Sequence, residues 1–147
     1  MTNQVRSQVA AVLVSLACAG GWALAQTEVK GAQIDETKLE KRTSKVQCLG
    51  NQTVSLVGVS LRLQDVASEA AGGCKVIIRN SHVSGAVAIQ LVGPGDVTVE
   101  NSIIEGTTNW IQMSGSATVS VKSSTIRGGT QRVGGAKLSD LGGNDWK

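Results

Sequence analysis

Few residues in this chain have the type and spacing that chemistry on a substrate requires. His82 is the only histidine. A lone His without a paired nucleophile is weak evidence for acid–base catalysis, so we expect it to be a partly exposed surface side chain. The Asp residues are scattered and form no close carboxylate pair of the kind that glycoside hydrolysis uses: Asp35, Asp65, Asp96, Asp140 and Asp145. The sequence therefore predicts no catalytic residue, no metal site and no cofactor, and we expect a protein that is not an enzyme.

The strongest candidate for a binding residue is Trp110. If Ile89 and Ile111 point inward, the residues before them point outward, in a column with a third member 22 residues further on: Ala88, Trp110 and Arg132. An indole beside a guanidinium and the amides of two Gln residues can stack on a sugar ring or anchor a protein. The sequence thus predicts a ligand or partner site formed by Trp110, Arg132, Gln90 and Gln112. The alternative is that Trp110 covers its own repeat, with Arg132 stacked on it.

A repeat supplies the elements that would position these side chains. The ten residues from Val97 to Gly106 recur at Val54, Val76 and Val119, with steps of 22, 21 and 22 residues. Each copy holds a Val-x-Val strand, a turn and a second strand that ends in a large apolar residue, and a third strand follows. The predicted turns fall at residues that tolerate positive φ or bond their own backbone: Gly58, Asn80, Asn101 and Ser123.

Three short strands in 21 or 22 residues describe one coil of a parallel β-helix. A coil cannot bury its own inner face, so it must stack on neighbours at a nearly constant period. We therefore predict an all-β fold, a single short β-helix of about four coils over residues 46–135. A sandwich or an open β-meander is the alternative.

Charged and amide side chains support the same stacking. Successive copies place Arg79, Glu100 and Lys122 in a ladder of alternating sign on the outer face. Opposite charges on neighbouring strands contribute about 0.2 to 1 kcal/mol each. Asn80 would likewise stack on Asn101 at a turn.

The composition limits how the core can be built. The 147 residues include three Trp but no Phe or Tyr, with 18 Gly. A core must therefore come from Val, Ile, Leu and Ala, which favours short strands between tight turns. The net charge of +3 gives no strong bias toward nucleic acid.

Residues 1–25 have the pattern of a secretory signal peptide. Arg6 precedes an apolar run from Val9 to Gly20, and Ala23 and Ala25 fit a small-x-small cleavage site before Gln26. We expect an exported protein, periplasmic or secreted, with no stable membrane insertion after cleavage. An uncleaved membrane anchor and a lipoprotein built on Cys18 are the alternatives.

Export changes the meaning of the cysteines. With Cys18 removed, Cys48 and Cys74 form an even pair in an oxidising compartment, so we predict a disulfide between them. Such a bridge stabilises a fold by about 3 kcal/mol. A reactive or metal-binding thiol pair is the alternative.

The two flanks of the repeat differ in composition. Residues 26–45 are polar and charged, and they predict either a linker or a short helix, N-capped by Asp35, that covers the open end of the stack. The Gly-rich residues 136–147 predict a flexible tail, in which Trp146 is either disordered or folded back over the last coil.

The Val-x-Val-x-Asn-Ser-x-Ile-x-Gly unit, its coil length and its stacked Asn resemble the right-handed parallel β-helix of the pectate-lyase-like superfamily over residues 46–135. The part from Cys48 to Gly106 is also similar to small secreted bacterial β-repeat domains of unknown function. Enzymes of that superfamily use clustered Asp around Ca²⁺ or paired Asp as acid and base. No residue of this chain matches those motifs, so the resemblance implies an architecture without an activity.

A nearly complete structural repeat without catalytic groups favours a non-enzymatic scaffold or interaction module of the bacterial envelope. Its partner would be a protein or an envelope polysaccharide, and its open ends would allow end-to-end self-association. The alternative is a carbohydrate-binding module, or less favourably a polysaccharide-acting enzyme, that uses the face of Trp110.

Overall fold

A computed structural model describes residues 28–147. Parallel strands wind into a β-solenoid of about five turns, which confirms the predicted parallel β-helix. A short 3-10 helix, Glu36–Lys38, precedes the first strand of this part of the chain. The strands have these bounds: β1 Glu40–Arg42, β2 Val46–Leu49, β3 Thr53–Val57, β4 Val59–Arg62, β5 Val66–Ala71, β6 Lys75–Arg79, β7 His82–Val92, β8 Asp96–Glu100, β9 Ile103–Gly115, β10 Thr118–Lys122, β11 Thr125–Gly134, β12 Lys137–Asp140 and β13 Asp145–Trp146. None of the elements in this part of the chain is a helix long and apolar enough to cross a bilayer.

Each turn of the solenoid contributes strand segments to three faces. The first face is the five-stranded sheet β3-β6-β8-β10-β12. The long strands β7, β9 and β11 belong to both other faces. Their first parts form the second face, in which β4 pairs with β7, β1 pairs with β4, and β13 pairs with β11. Their later parts form the third face, in which β5 pairs with β7 and β2 pairs with β5. All pairings are parallel, so equivalent residues stack in columns along the axis.

The turns between the first and second faces adopt the predicted conformation. Asn80, Asn101 and Ser123 have φ of 49°, 44° and 49°, and Gly58 has φ of 65°. This left-handed region is accessible to Gly and, at low cost, to Asn. The side chains also stack as predicted, because Nδ2 of Asn101 donates to Oδ1 of Asn80 at 2.7 Å.

The core is built from aliphatic columns that run through the turns. On the first face, one column contains Val76, Val97 and Val119, and its neighbour contains Ile78 and Val99. All of these are fully buried or nearly so, and each such side chain contributes about 1.5 to 3 kcal/mol on burial. The β-branched repeat therefore supplies the main apolar driving force for stacking.

A buried polar column accompanies the aliphatic ones. The hydroxyl of Ser81 accepts from the amide of Val59, that of Ser102 from Ser81, and that of Ser124 from Ser102, at 3.0 to 3.2 Å. Asn144 ends the column by accepting from the amide of Ser124 at 2.8 Å. Each turn thus satisfies a buried donor of the turn before it, which avoids the cost of an unpaired amide.

The predicted charge ladder is present in part. Arg79 and Glu100 form an ion pair at 3.1 Å. Lys122 lies opposite Glu100 in the strand register, but no ion pair joins them among the described residues. Such exposed pairs contribute about 1 kcal/mol or less, so the ladder favours the register without dominating stability.

Cys48 and Cys74 lie within disulfide distance. Their Cα atoms are 6.0 Å apart, and both side chains are fully buried. The segment between them reaches this geometry because β5 pairs with β2, which places Ala70 beside Cys48. Cys18 and the predicted signal peptide lie outside the described residues.

The segment before β1 crosses the outside of the second face; residues 31–38 are called the strap below. The amide of Gly31 donates to Gly143 at 2.8 Å near the C-terminal end of the solenoid. Asp35 N-caps the 3-10 helix by accepting from the amide of Thr37 at 3.1 Å, as predicted. This helix lies along the side of the stack, whereas the helix that was one of the two predicted alternatives would cover its open end.

The C-terminal residues form a last turn, so the prediction of a flexible tail over 136–147 is wrong. β12 pairs with β10, and β13 pairs with β11. The side chain of Trp146 folds back, and its Nε1 donates to Asp140 at 2.9 Å. The Gly residues that suggested flexibility instead make turns, with positive φ at Gly142 and Gly143.

Candidate functional site

The structure does not place Trp110 on the surface, and the prediction of an outward indole is wrong. Its side chain is 1 % exposed and belongs to the core. Its Nε1 donates to the hydroxyl of Thr130 at 2.7 Å. Its ring meets that of Trp146 edge to face, with centroids 5.8 Å apart. The alternative, that Trp110 covers its own coil, describes the structure better, although its partner is Trp146 and not Arg132.

Two departures from the regular repeat explain this error. Ala88, one coil earlier in the same column as Trp110, is also fully buried, so strict alternation already fails at this corner. The coil length also changes on the next strand. Four positions separate Arg127 from Gln131 on β11, against seven between their partners Glu105 and Gln112 on β9. The constant 22-residue step used for the column therefore fails at this corner, and Arg132 lies opposite Met113. With three residues fewer in the turn above, Trp110 fills the corner and is closed over by Trp146.

The third face brings the two predicted Gln residues together and adds a third. Gln90 lies opposite Gln112, and Gln112 lies opposite Gln131. Arg132 is exposed but follows Gln131 directly, so its side chain leaves the other side of the strand. The sequence could have identified Gln131 if Gln112 had been aligned with the next Gln in the chain and the period had not been held at 22 residues.

Exposed aliphatic side chains run beside this Gln column. Leu49, Val92 and Val133 occupy one column with Ala71 and Ser114 between them. Their side chains are 54 %, 48 % and 57 % exposed. A shallow groove of about 120 Å³ lies between the two columns, lined by residues of β7, β9 and β11. We call this surface the third-face strip.

The second face carries a polar cluster that the sequence did not reveal. His82 is 4 % exposed, so the prediction of a surface His is wrong. Its Nδ1 lies 2.9 Å from the carboxylate of Glu36 on the strap, and its Nε2 lies 2.8 Å from that of Glu105 on β9. Arg62 pairs with Glu36, and Arg127 pairs with Glu105. No local sequence pattern predicts this cluster, because Glu36 is 46 residues from His82 and lies outside the repeat.

Charged groups surround both nitrogens of His82. The guanidinium of Arg62 lies 3.0 Å from Nδ1, beside the carboxylate of Glu36, while Nε2 faces Glu105. Burial alone would raise the pKa of Glu105, but the hydrogen bonds and charges of His82 and Arg127 outweigh it, and the pKa is lowered.

A cleft of about 540 Å³ opens below this cluster, between the 3-10 helix and the first strands of the second face. It is lined by these residues: Glu36, Thr37, Lys41, Arg42, Thr43, Ser60 and Arg62. Within residues 28–147, no three His, Cys, Asp or Glu side chains are grouped so as to hold a metal ion. The cleft therefore offers cationic and hydroxyl groups rather than a metal site.

The fold and these surfaces define a parallel β-solenoid in which the strap covers the second face and leaves the third face bare. Comparison of the chain with protein-family models, curated proteins and solved structures finds no match.

Proposed function

We propose that this protein is an exported, non-enzymatic scaffold that binds a protein or polysaccharide partner in the bacterial envelope through the third-face strip. The observation that carries the proposal is the row of exposed aliphatic side chains beside the Gln column. Exposed apolar side chains rimmed by polar groups are a feature of interaction sites. The buried pair of cysteines at disulfide distance fits an oxidising compartment.

A carbohydrate-binding module is the second candidate, on the same strip but without Trp110. Side-chain amides can hydrogen-bond sugar hydroxyls, and those of Gln90, Gln112 and Gln131 follow one another at the spacing of stacked strands, about 4.8 Å. The side chain of Arg132 leaves the other side of the strand and does not join this surface. Because Trp110 is buried and cannot stack on a sugar ring, the structure supports this candidate less strongly than the sequence did.

The test is capture of partners from native envelope extract by the immobilised protein and by matched variants. Val92→Lys places a charge in the centre of the third-face strip, and Thr98→Lys places the same charge on the first face, at an outward position of β8. We expect Val92→Lys to abolish capture and Thr98→Lys to retain it. Equal capture by both variants would contradict the proposal.

The captured partner decides between the two candidates. A protein that is released by salt or detergent supports the scaffold. Release by soluble oligosaccharides, with binding that survives protease treatment of the extract, supports the carbohydrate-binding module.

A further inference from the structure

The cleft below His82 has the chemistry of a site for an oxyanion. Three cationic side chains line it, Lys41, Arg42 and Arg62, against the single carboxylate of Glu36. Three hydroxyls complete the lining: Thr37, Thr43 and Ser60. Ammonium and guanidinium groups are donors only, and hydroxyls can also donate. Hydrogen-bond donors therefore outnumber acceptors among the side chains that line the cleft.

The charges already present do not satisfy these donors. Glu36 is held by Arg62 and lies against His82, so its carboxylate is occupied. Arg42 pairs with Glu40 at 3.6 Å. Lys41 is exposed and forms no ion pair with any other residue from 28 to 147. The unmatched positive charge of the cleft is therefore centred on Lys41.

The strand register fixes where that charge points. Lys41 lies opposite Ser60, and Ser60 lies opposite His82, in one outward column of the second face. The strap closes the column at His82 but leaves Lys41 and Ser60 open. The guanidinium of Arg62 is held by Glu36 and lies 3.0 Å from Nδ1 of His82. The Arg62 side chain is 57 % exposed, so part of its donor edge remains accessible.

From this arrangement we propose that the cleft binds an oxyanion group, such as sulfate, phosphate or carboxylate, through Lys41 and Arg62 with help from the hydroxyl of Ser60. Charge-assisted hydrogen bonds of this kind are stronger than neutral ones, and a fixed guanidinium loses little entropy on binding. The group is supplied either as a free ion or as a substituent on a polysaccharide. This inference is independent of the third-face strip.

The test is an amide NMR titration of the mature chain at constant ionic strength, with chloride replaced by sulfate or phosphate. A second arm replaces the free ions by dextran sulfate, with uncharged dextran as its control. We expect saturable shifts at Thr37, Lys41 and Ser60 in at least one arm. Shifts with free ions identify a free-ion site, and shifts with dextran sulfate alone identify a polymer-borne ligand.

Two variants make the assignment specific. Lys41→Gln should weaken binding about tenfold through loss of one charge-assisted hydrogen bond, and Ser60→Ala should weaken it less. Lys75→Gln, which removes an exposed Lys from the first face, should leave affinity unchanged. The proposal is overturned if neither arm gives saturable shifts at the cleft, or if Lys75→Gln weakens binding as much as Lys41→Gln.

Discussion

The second and third faces share the strands β7, β9 and β11, yet their outward side chains have opposite surroundings. On the second face, the strap covers His82 and leaves it 4 % exposed. On the third face, the outward Val92 of the same strand is 48 % exposed. The repeat determines which residues point outward, whereas a segment outside the repeat determines which of these meet water.

Outward side chains therefore have different roles on the two faces. The second face uses its polar residues to hold the strap, through Thr125 and Asn101 as well as His82. The third face has no such covering segment among residues 28–147, and the side-chain amides of Gln90, Gln112 and Gln131 form no hydrogen bond within that range. The covered face therefore contributes to stability, and the bare face remains available for binding.

The bend between the two faces is the place where a substitution should do most damage. A Cβ added at Gly106 would collide with the backbone oxygen of Asn109 and with Trp110. We expect Gly106→Ala to lower the free energy of unfolding by about 3 kcal/mol, since backbone atoms cannot move aside. Urea denaturation measures it. Gly135→Ala is the matched control, because its Cβ would meet only the backbone of Gly115 at 3.6 Å; equal losses would refute the collision.

Removing an outward side chain should cost stability on the covered face only. His82→Ala deletes the group that joins Glu36 to Glu105, and we expect a loss of about 1 to 3 kcal/mol. Gln90→Ala, on the bare face of the same strand, should change stability by about 0.5 kcal/mol or less. Hydrogen exchange should show faster opening of residues 31–38 in His82→Ala. Unchanged protection there would contradict the role given to His82.

The sequence predicted what the repeat controls. The Val-x-Val strands, the turns at Asn80 and Asn101 and the stacked pair Arg79–Glu100 depend on the coil above and below, so a period is enough to find them. The orientation of Trp110 was missed because strict alternation fails at this corner, where Ala88 and Trp110 are buried beside Ile89 and Ile111. The place of Arg132 was missed because one coil is three residues shorter than its neighbour. The burial of His82 was missed because the residue that covers it is distant in sequence and outside the repeat.

The turn residues allow the strap to be tested with little disturbance. Asn101 accepts from the amide of Gln33 at 2.7 Å and also donates to Asn80. Replacing either Asn by Gly keeps positive φ accessible and removes the bond between the two amides. Only Asn101→Gly also removes the bonds to the strap, so we expect it to be less stable than Asn80→Gly by about 1 kcal/mol. Equal unfolding midpoints would show that Asn101 does not hold the strap.

Acidification should weaken the covered face through Glu105. Because its pKa is lowered in the folded protein, mainly by His82 and Arg127 acting against burial, its charged form stabilises the fold. That contribution is complete above the ordinary glutamate pKa of about 4.3 and is lost as the pH falls through the lower folded value. Glu105→Gln should therefore show a smaller loss of stability between neutral and acidic pH than the unmodified protein does.

Unfolding midpoints in urea at several pH values measure this effect, with Glu28→Gln as the control for an exposed carboxylate away from the cluster. Glu105 is partly exposed, so solvent screens its interactions and the change should be the smallest of the four. If Glu105→Gln and Glu28→Gln lose stability in parallel on acidification, the ion pairs of Glu105 do not stabilise the covered face. The strap would then be held by the contacts of Glu36 with His82 and Arg62, and by Thr125, Asn101 and the backbone of Gly143.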